Sequence, residues 1–244
     1  MNIETELLKS IQSKTFPRWK GFFRGVIYMF EIPEELVRLG IDRIEEFPVE
    51  GFVKGKGPKK PSILLIGEAP GENEAIKGVP FIGRAGDELN KSLESIGLTR
   101  EDVYMTSAVR SRPYVWREKK ARNGEVIQRK YNRPPTSLEV VAHAPILDYE
   151  LKNIVPSIIV TLGNVGLQRL LGKDAKVSNL HGELIHRPIR HLKSLDSPEF
   201  IWSDESYMII PTYHPASVFY RPSNRDFLEQ DWLHIGSYLV NTKF

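Results

Sequence analysis

The chain has 244 residues, 41% of them hydrophobic and 27% charged, with a formal net charge of +3. That suffices for one large buried core, while no apolar run approaches the ~20 residues that cross a bilayer. Cysteine is absent, which excludes disulfides, thiolate zinc sites, cysteine-ligated iron–sulfur clusters and a cysteine nucleophile. The amino terminus, Met1 to Glu6, starts acidic without a signal-peptide apolar region, so the expectation is a cytoplasmic protein with no membrane association.

In chain order, Ile3 to Ile11 has helical apolar spacing, and Pro33-Glu34-Glu35-Leu36-Val37 places proline at a first helical turn that Gly40 could stop. Gly51, Gly55, Gly57 and Pro58, interleaved with lysines, mark a loop. Residues 1–58 thus read as a helical N-terminal extension, and 59–240 as the core of a single domain spanning 1–244. The core opens with Ser62 to Ile66, a short apolar run typical of a buried strand, and a Gly-rich turn from Gly67 to Gly71 follows. Leu89, Leu93 and Ile96 recur at helical spacing ahead of Gly97, and Val103 to Thr106 is a second strand. Residues 110–133 show no clear period and read as a long loop or hairpin. Thr136 and Glu139 form a capping box for a helix to about Ile154. Ile158 to Leu162 is a third strand, Asn164 a cap for a helix that Gly172 ends, Tyr207 to Ile210 a fourth strand, and Asp226 to Val240 a closing helix. Strands alternating with helices predict an α/β fold with a central, mainly parallel sheet and helices on both faces.

In such sheets ligands sit outside the carboxyl ends of the strands. Gly67-Glu68, Thr106-Ser107 and Tyr213-His214 each follow directly after a predicted strand, so three polar groups are expected to converge on one edge. The glycines and prolines from Gly67 through Gly71 to Gly86 are neither a P-loop nor a dinucleotide fingerprint. They suit a backbone passing close to a planar ligand or to phosphates. Two basic clusters, Lys54 to Lys60 and Arg110 to Arg133, could attract phosphates or simply be solvated loops. His181, His186 and His191 fit no standard metal spacing.

The pattern GEAPG-x-x-E-x-x-x-G-x-PF-x-G-x-AG over residues 67–86 resembles the first motif of the uracil-DNA glycosylase superfamily, nearest to its family 4. Thr212-Tyr213-His214-Pro215-Ala216-Ser217 is similar to that family's histidine loop. Tyr104 to Pro113, Asn132-Arg133-Pro134-Pro135, Glu139, Pro145 to Leu147 and Ile159 to Gly163 match the segments between, so the likeness covers roughly residues 60–235. It implies a three-layer sandwich that flips a deaminated base out of DNA and hydrolyses its N-glycosidic bond, as a monomer, without metal or other cofactor. It implies Glu68 and His214 as catalytic groups, and a base pocket of Gly67, Ala69, Phe81 and Ser107. It places Pro70, Gly71, Gly83, Arg84, Ala216, Ser217 and Arg221 against DNA, with the loop Val218 to Arg221 as a wedge for the gap in the duplex.

Three departures stand out. Ser111 and His143 occupy positions of two cysteines that hold an iron–sulfur cluster in family 4. Ser107 stands where the family has an asparagine that reads uracil. Segment 113–133 is longer than the family's connection, and it lacks the histidine that a covalent-trapping branch uses. Serine offers one hydroxyl where asparagine offers a paired donor and acceptor, so hypoxanthine and xanthine join uracil as expected substrates. A non-catalytic binder of single-stranded or damaged DNA on the same fold is the alternative. A nucleotide hydrolase unrelated to DNA would rest on the Gly-rich loop alone.

Overall fold

A computed structural model describes residues 29–121 and 124–241. The helix expected over Ile3–Ile11 lies outside the described residues. Helix α1 (Glu34–Asp42) starts directly behind Pro33. It does not stop at Gly40, which serves instead as a close-packing point: a Cβ there would lie 2.5 Å from Ile146 Cδ1. A two-residue strand, β1 (Val49–Glu50), precedes β2 (Ile63–Gly67), all five of whose residues are buried. Next come α2 (Glu72–Lys77), α3 (Arg84–Ser95) and β3 (Val103–Ser107).

The basic stretch folds as a hairpin, β4 (Arg112–Lys120) and β5 (Val126–Asn132). With β1 it makes a three-stranded sheet of order β1-β4-β5. Helix α4 (Ser137–Asn153) opens with the expected capping box, in which Thr136 Oγ1 accepts from Glu139 N and Glu139 Oε2 from Thr136 N. After β6 (Ile158–Leu162), Asn164 does not cap α5 (Asn164–Leu171) but is its first residue, behind Gly163. Its side-chain oxygen instead accepts from Val177 N, 2.8 Å away, pinning α6 (Val177–Leu180).

Strand β7 (Ile185–Leu192) has no counterpart in the sequence reading, and β8 (Phe200–Thr212) is far longer than the four residues expected. The physical reason is position. β7 is an antiparallel edge strand with a register shift at Pro188, so its exposed residues need no apolar pattern. Helix α7 (Asn224–Asn241) closes the described chain.

The five-stranded sheet runs β3-β2-β6-β8-β7, parallel except for β7. Alternation along each strand sends side chains to two cores. Leu65, Val103, Met105 and Val160 pack with Leu89 and Leu93 of α3 and Trp232 and Ile235 of α7. Leu64, Ile66, Tyr104 and Ile159 pack with Leu147 and Leu151 of α4 and Leu167 and Leu170 of α5. The expected helix–sheet–helix layering is therefore present. No helix among the described residues is long and apolar enough to cross a membrane.

Candidate active site

Because β3, β2, β6 and β8 are parallel, their carboxyl ends share one edge. Gly67 pairs with Ser107, and Leu162 with Thr212. The ladder continues past the strands: Ala108 N donates to Gly67 O and Val109 N to Glu68 O, each at 3.0 Å. This edge opens into a cleft of about 240 Å³, lined by Val53, Ala69, Pro70, Gly71, Glu72, Glu74, Pro80, Phe81, Ala85, Ser107, Asn132, His214 and Ala216.

His214 heads a short 3-10 helix, Pro215–Phe219, and its Nδ1 accepts from Ala216 N at 3.1 Å. The ring hydrogen of the neutral form must then sit on Nε2, leaving a donor for the cleft. Burial pushes the imidazole down from 6.5 to about 4, so the donor is neutral at physiological pH. The Phe81 ring lies 6.4 Å from the His214 ring, tilted by 32°.

Phe81 is held in a backbone conformation that costs energy. Its φ is +51°, the only positive value at a non-glycine among the described residues. The turn is clamped by the half-buried Arg100, which donates to Phe81 O at 2.8 Å and to Pro80 O at 2.6 Å. Gly67 and Gly86 leave the room it needs. A Cβ on Gly67 would sit 2.6 Å from the Phe81 ring, and one on Gly86 2.0 Å from the Phe81 carbonyl oxygen.

Ser107 is buried, and its hydroxyl donates to Val109 O at 2.7 Å. Only its lone pairs remain for a ligand. Glu68 is half-buried beside the cleft but not among its lining residues. Its carboxylate has no hydrogen bond or ion pair among the described residues, and burial raises its pKa.

A profile of the Uracil DNA glycosylase superfamily matches residues 54–235. The stretch contains every wall of the cleft except Val53. The chain belongs to the uracil-DNA glycosylase superfamily. It is 35% identical over 183 residues to a type-4 uracil-DNA glycosylase of Saccharolobus solfataricus, covering 74% of this chain and 72% of that one. An Archaeoglobus fulgidus protein of the same description is 36% identical over 185 residues, 76% of this chain and 80% of its own. A third, from Sulfurisphaera tokodaii, is 30% identical over 216 residues, covering 87% and 86%.

For a member of this superfamily, two carriers of the site escaped the sequence reading. Glu74 lines the cleft, accepts from Ile82 N at 3.1 Å and is pushed up by burial. Asn132 lines it from the root of β5. Its Oδ1 accepts from Arg112 Nε at 2.6 Å, so its amide hydrogens are the free end. Glu74 was visible as a letter of the Gly-rich motif. Asn132 is brought in by the hairpin, which joins residues distant in sequence.

The remaining expected residues divide into two groups. Ala69, Pro70, Gly71 and Ala216 line the cleft; Gly67, Gly83, Arg84, Ser217 and Arg221 do not. Arg84 stacks over the Phe219 ring at 4.1 Å, and Arg221 is exposed. The wedge reading needs revision in composition. Val218 is buried in the core and Phe219 packs against it, whereas Tyr220 is 84% exposed.

The iron–sulfur cluster of family 4 does not fit this chain, which offers no thiolate. Ser111 and His143 are both fully enclosed. His143 Nδ1 donates to Glu139 O at 3.2 Å, its ring meets Phe52 at 5.9 Å, and Gly40 packs beside it. Among the described residues, no group of three or more His, Asp or Glu could hold a metal ion.

Proposed function

We propose that this protein is a monofunctional DNA glycosylase that hydrolyses the N-glycosidic bond of uracil, or a related deaminated base, in an extruded nucleotide and leaves an abasic site. The observation that carries the reading is a neutral Nε2–H donor on His214, in a cleft walled by Phe81, with Glu68 beside that cleft, raised by burial and without a partner among the described residues.

In this reading the base enters the cleft against Phe81. As the bond from C1′ to the base nitrogen breaks, its electron pair passes to the base, and His214 donates a hydrogen bond to the growing charge on O2. Glu68 stabilises the cation-like sugar and orients the water whose oxygen bonds to C1′; Glu68 takes the proton that this water sheds, and the base anion is protonated in turn from Glu68 or solvent. Glu74 is a second carboxylate at the cleft wall. Water, not an amine of the chain, is the nucleophile.

Ser107 supplies selection with a single atom. Its hydrogen is engaged by Val109 O, so it can only accept. Uracil N3 and hypoxanthine N1 carry a hydrogen that it accepts, whereas the matching nitrogens of cytosine and adenine are bare and repel it.

The test is an alkali-cleavage assay on oligonucleotides carrying uracil, hypoxanthine or xanthine, single-stranded and paired. We expect strand cleavage with uracil. Loss of the donor in His214→Ala lowers the rate about 100- to 1,000-fold, and Glu68→Gln lowers it further in combination. Undiminished cleavage by the double variant overturns the assignment of both residues. No abasic product on any substrate, from folded protein that still binds DNA, overturns the enzyme reading in favour of a lesion-binding protein.

A further inference from the structure

The hairpin is the largest feature that the cleft chemistry leaves unexplained. Its strands pair over seven residue couples, from Tyr114 with Asn132 to Lys120 with Val126. From Trp116 to Lys120 and from Val126 to Arg129 every residue is exposed. A two-stranded ribbon that buries so little is marginal by itself in water, so a stability role does not account for it.

Its charges divide sharply between root and tip. At the root, Arg112 and Lys130 both pair with Glu50, while Glu72 lies 3.6 Å from Arg112 and 3.5 Å from Arg129. Toward the tip, Arg117, Lys119 and Lys120 have no ion pair among the described residues. Arg117 stands directly across from Arg129. Like charges facing each other on one side of a ribbon are destabilising; Glu72 offsets Arg129, whereas Arg117 has no ion pair among the described residues. On the other side, Lys130 stacks 4.1 Å over Tyr114 and 5.4 Å over the 55% exposed Trp116.

Place decides what the arm reaches. Asn132 and Glu72 at its root are cleft walls, so the ribbon rises from the rim of the site. Six residue steps at ~3.3 Å carry the tip about 20 Å away, the length of about six nucleotides at 3.4 Å each along one strand. The other basic cluster is less suited to this role: Lys54, next to the cleft wall Val53, is paired with Glu34. Lys59 and Lys60 precede β2, at the opposite end of the strands from the cleft.

We propose that the β4–β5 hairpin is a DNA-clasping arm: Arg117, Lys119 and Lys120 bind backbone phosphates on one side of the extruded nucleotide, out to about six nucleotides from it. The location relative to that nucleotide rests on the glycosylase reading; the phosphate binding does not.

The experiment compares the wild type with an Arg117→Ala, Lys119→Ala, Lys120→Ala variant, whose changes touch only exposed side chains. Fluorescence anisotropy with an undamaged labelled duplex, across a salt series, reads phosphate binding. We expect the variant to bind about 10-fold more weakly at low salt, with a log–log salt slope shallower by about 2 to 3. Equal affinity and slope overturn the proposal. This arm decides it even if the protein excises nothing.

The second arm measures second-order excision rates on uracil duplexes with either flank trimmed from eight to two base pairs. Trimming one particular flank should slow the wild type about 10-fold and leave the variant unchanged, with single-turnover rates at saturation equal for both. Equal sensitivity of wild type and variant to both flanks overturns the clasp's placement.

Discussion

Two histidines are shifted alike by burial and differ in what surrounds them. His214 keeps its free Nε2–H at the cleft, so low basicity preserves a neutral donor. His143 is fully enclosed, and its Nε2 has no partner among the described residues. There, low basicity is a cost that appears only in acid. Its pKa falls from 6.5 to about 4 on folding, so between those values the unfolded chain holds a proton that the native one lacks. Stability is complete above pH 6.5 and declines as pH falls toward 4. This site should contribute about 2 kcal/mol to the loss between pH 7 and pH 5. Urea unfolding at both pH values would show it, with His143→Leu losing correspondingly less than the wild type. An equal loss in both proteins would rule His143 out as the titrating group.

Among elements, the contact between α3 and the Phe81 turn is the tightest at the cleft. The first turn of α3 meets the turn through Gly86, with the Phe81 carbonyl where a Cβ would go. Arg100, just before β3, ties the same carbonyl from the other side. The positive φ of Phe81 therefore survives by being enclosed between two elements. Gly86→Ala cannot be absorbed by a side-chain rotation, since the obstacle is backbone. We expect it to cost about 1–3 kcal/mol in urea unfolding and to lower excision at least as much as Phe81→Ala does. Wild-type stability together with wild-type activity would show that the turn moves freely.

Across the whole molecule, α4 is bound to the sheet by a buried ionic knot. Arg110 and Glu150, both fully buried, pair directly. Tyr104 Oη and Thr106 Oγ1 each donate to Glu150 at 2.8 Å. Two of its members, Tyr104 and Thr106, belong to β3, so it ties the helical layer to the strand that ends in Ser107. Glu150→Gln keeps the shape but leaves Arg110 as an uncompensated buried charge. A loss of about 3–5 kcal/mol is expected, seen as a lowered thermal midpoint at neutral pH. A change within experimental error would mean that water reaches Arg110.

Much of this protein was legible before any tertiary structure. The buried stretches of the four parallel strands announced themselves because segments buried on both faces are mostly apolar, as Ile63 to Ile66 are throughout and Ile158 to Leu162 are apart from Thr161. The capping box at Thr136, the Gly-rich loop and the histidine loop are local chemistry, written in adjacent residues. Strand β7 was not legible, because an exposed edge strand with a bulge needs no pattern. Nor was the role of Gly40, whose neighbour Ile146 is over a hundred residues away. Only the fold could place Asn132 in the cleft, spend the Ser107 hydrogen on Val109 O and put the neutral donor of His214 opposite Phe81. Residue type and spacing set which groups are available, whereas their protonation, free hydrogens and partners depend on burial and on contacts made across the chain.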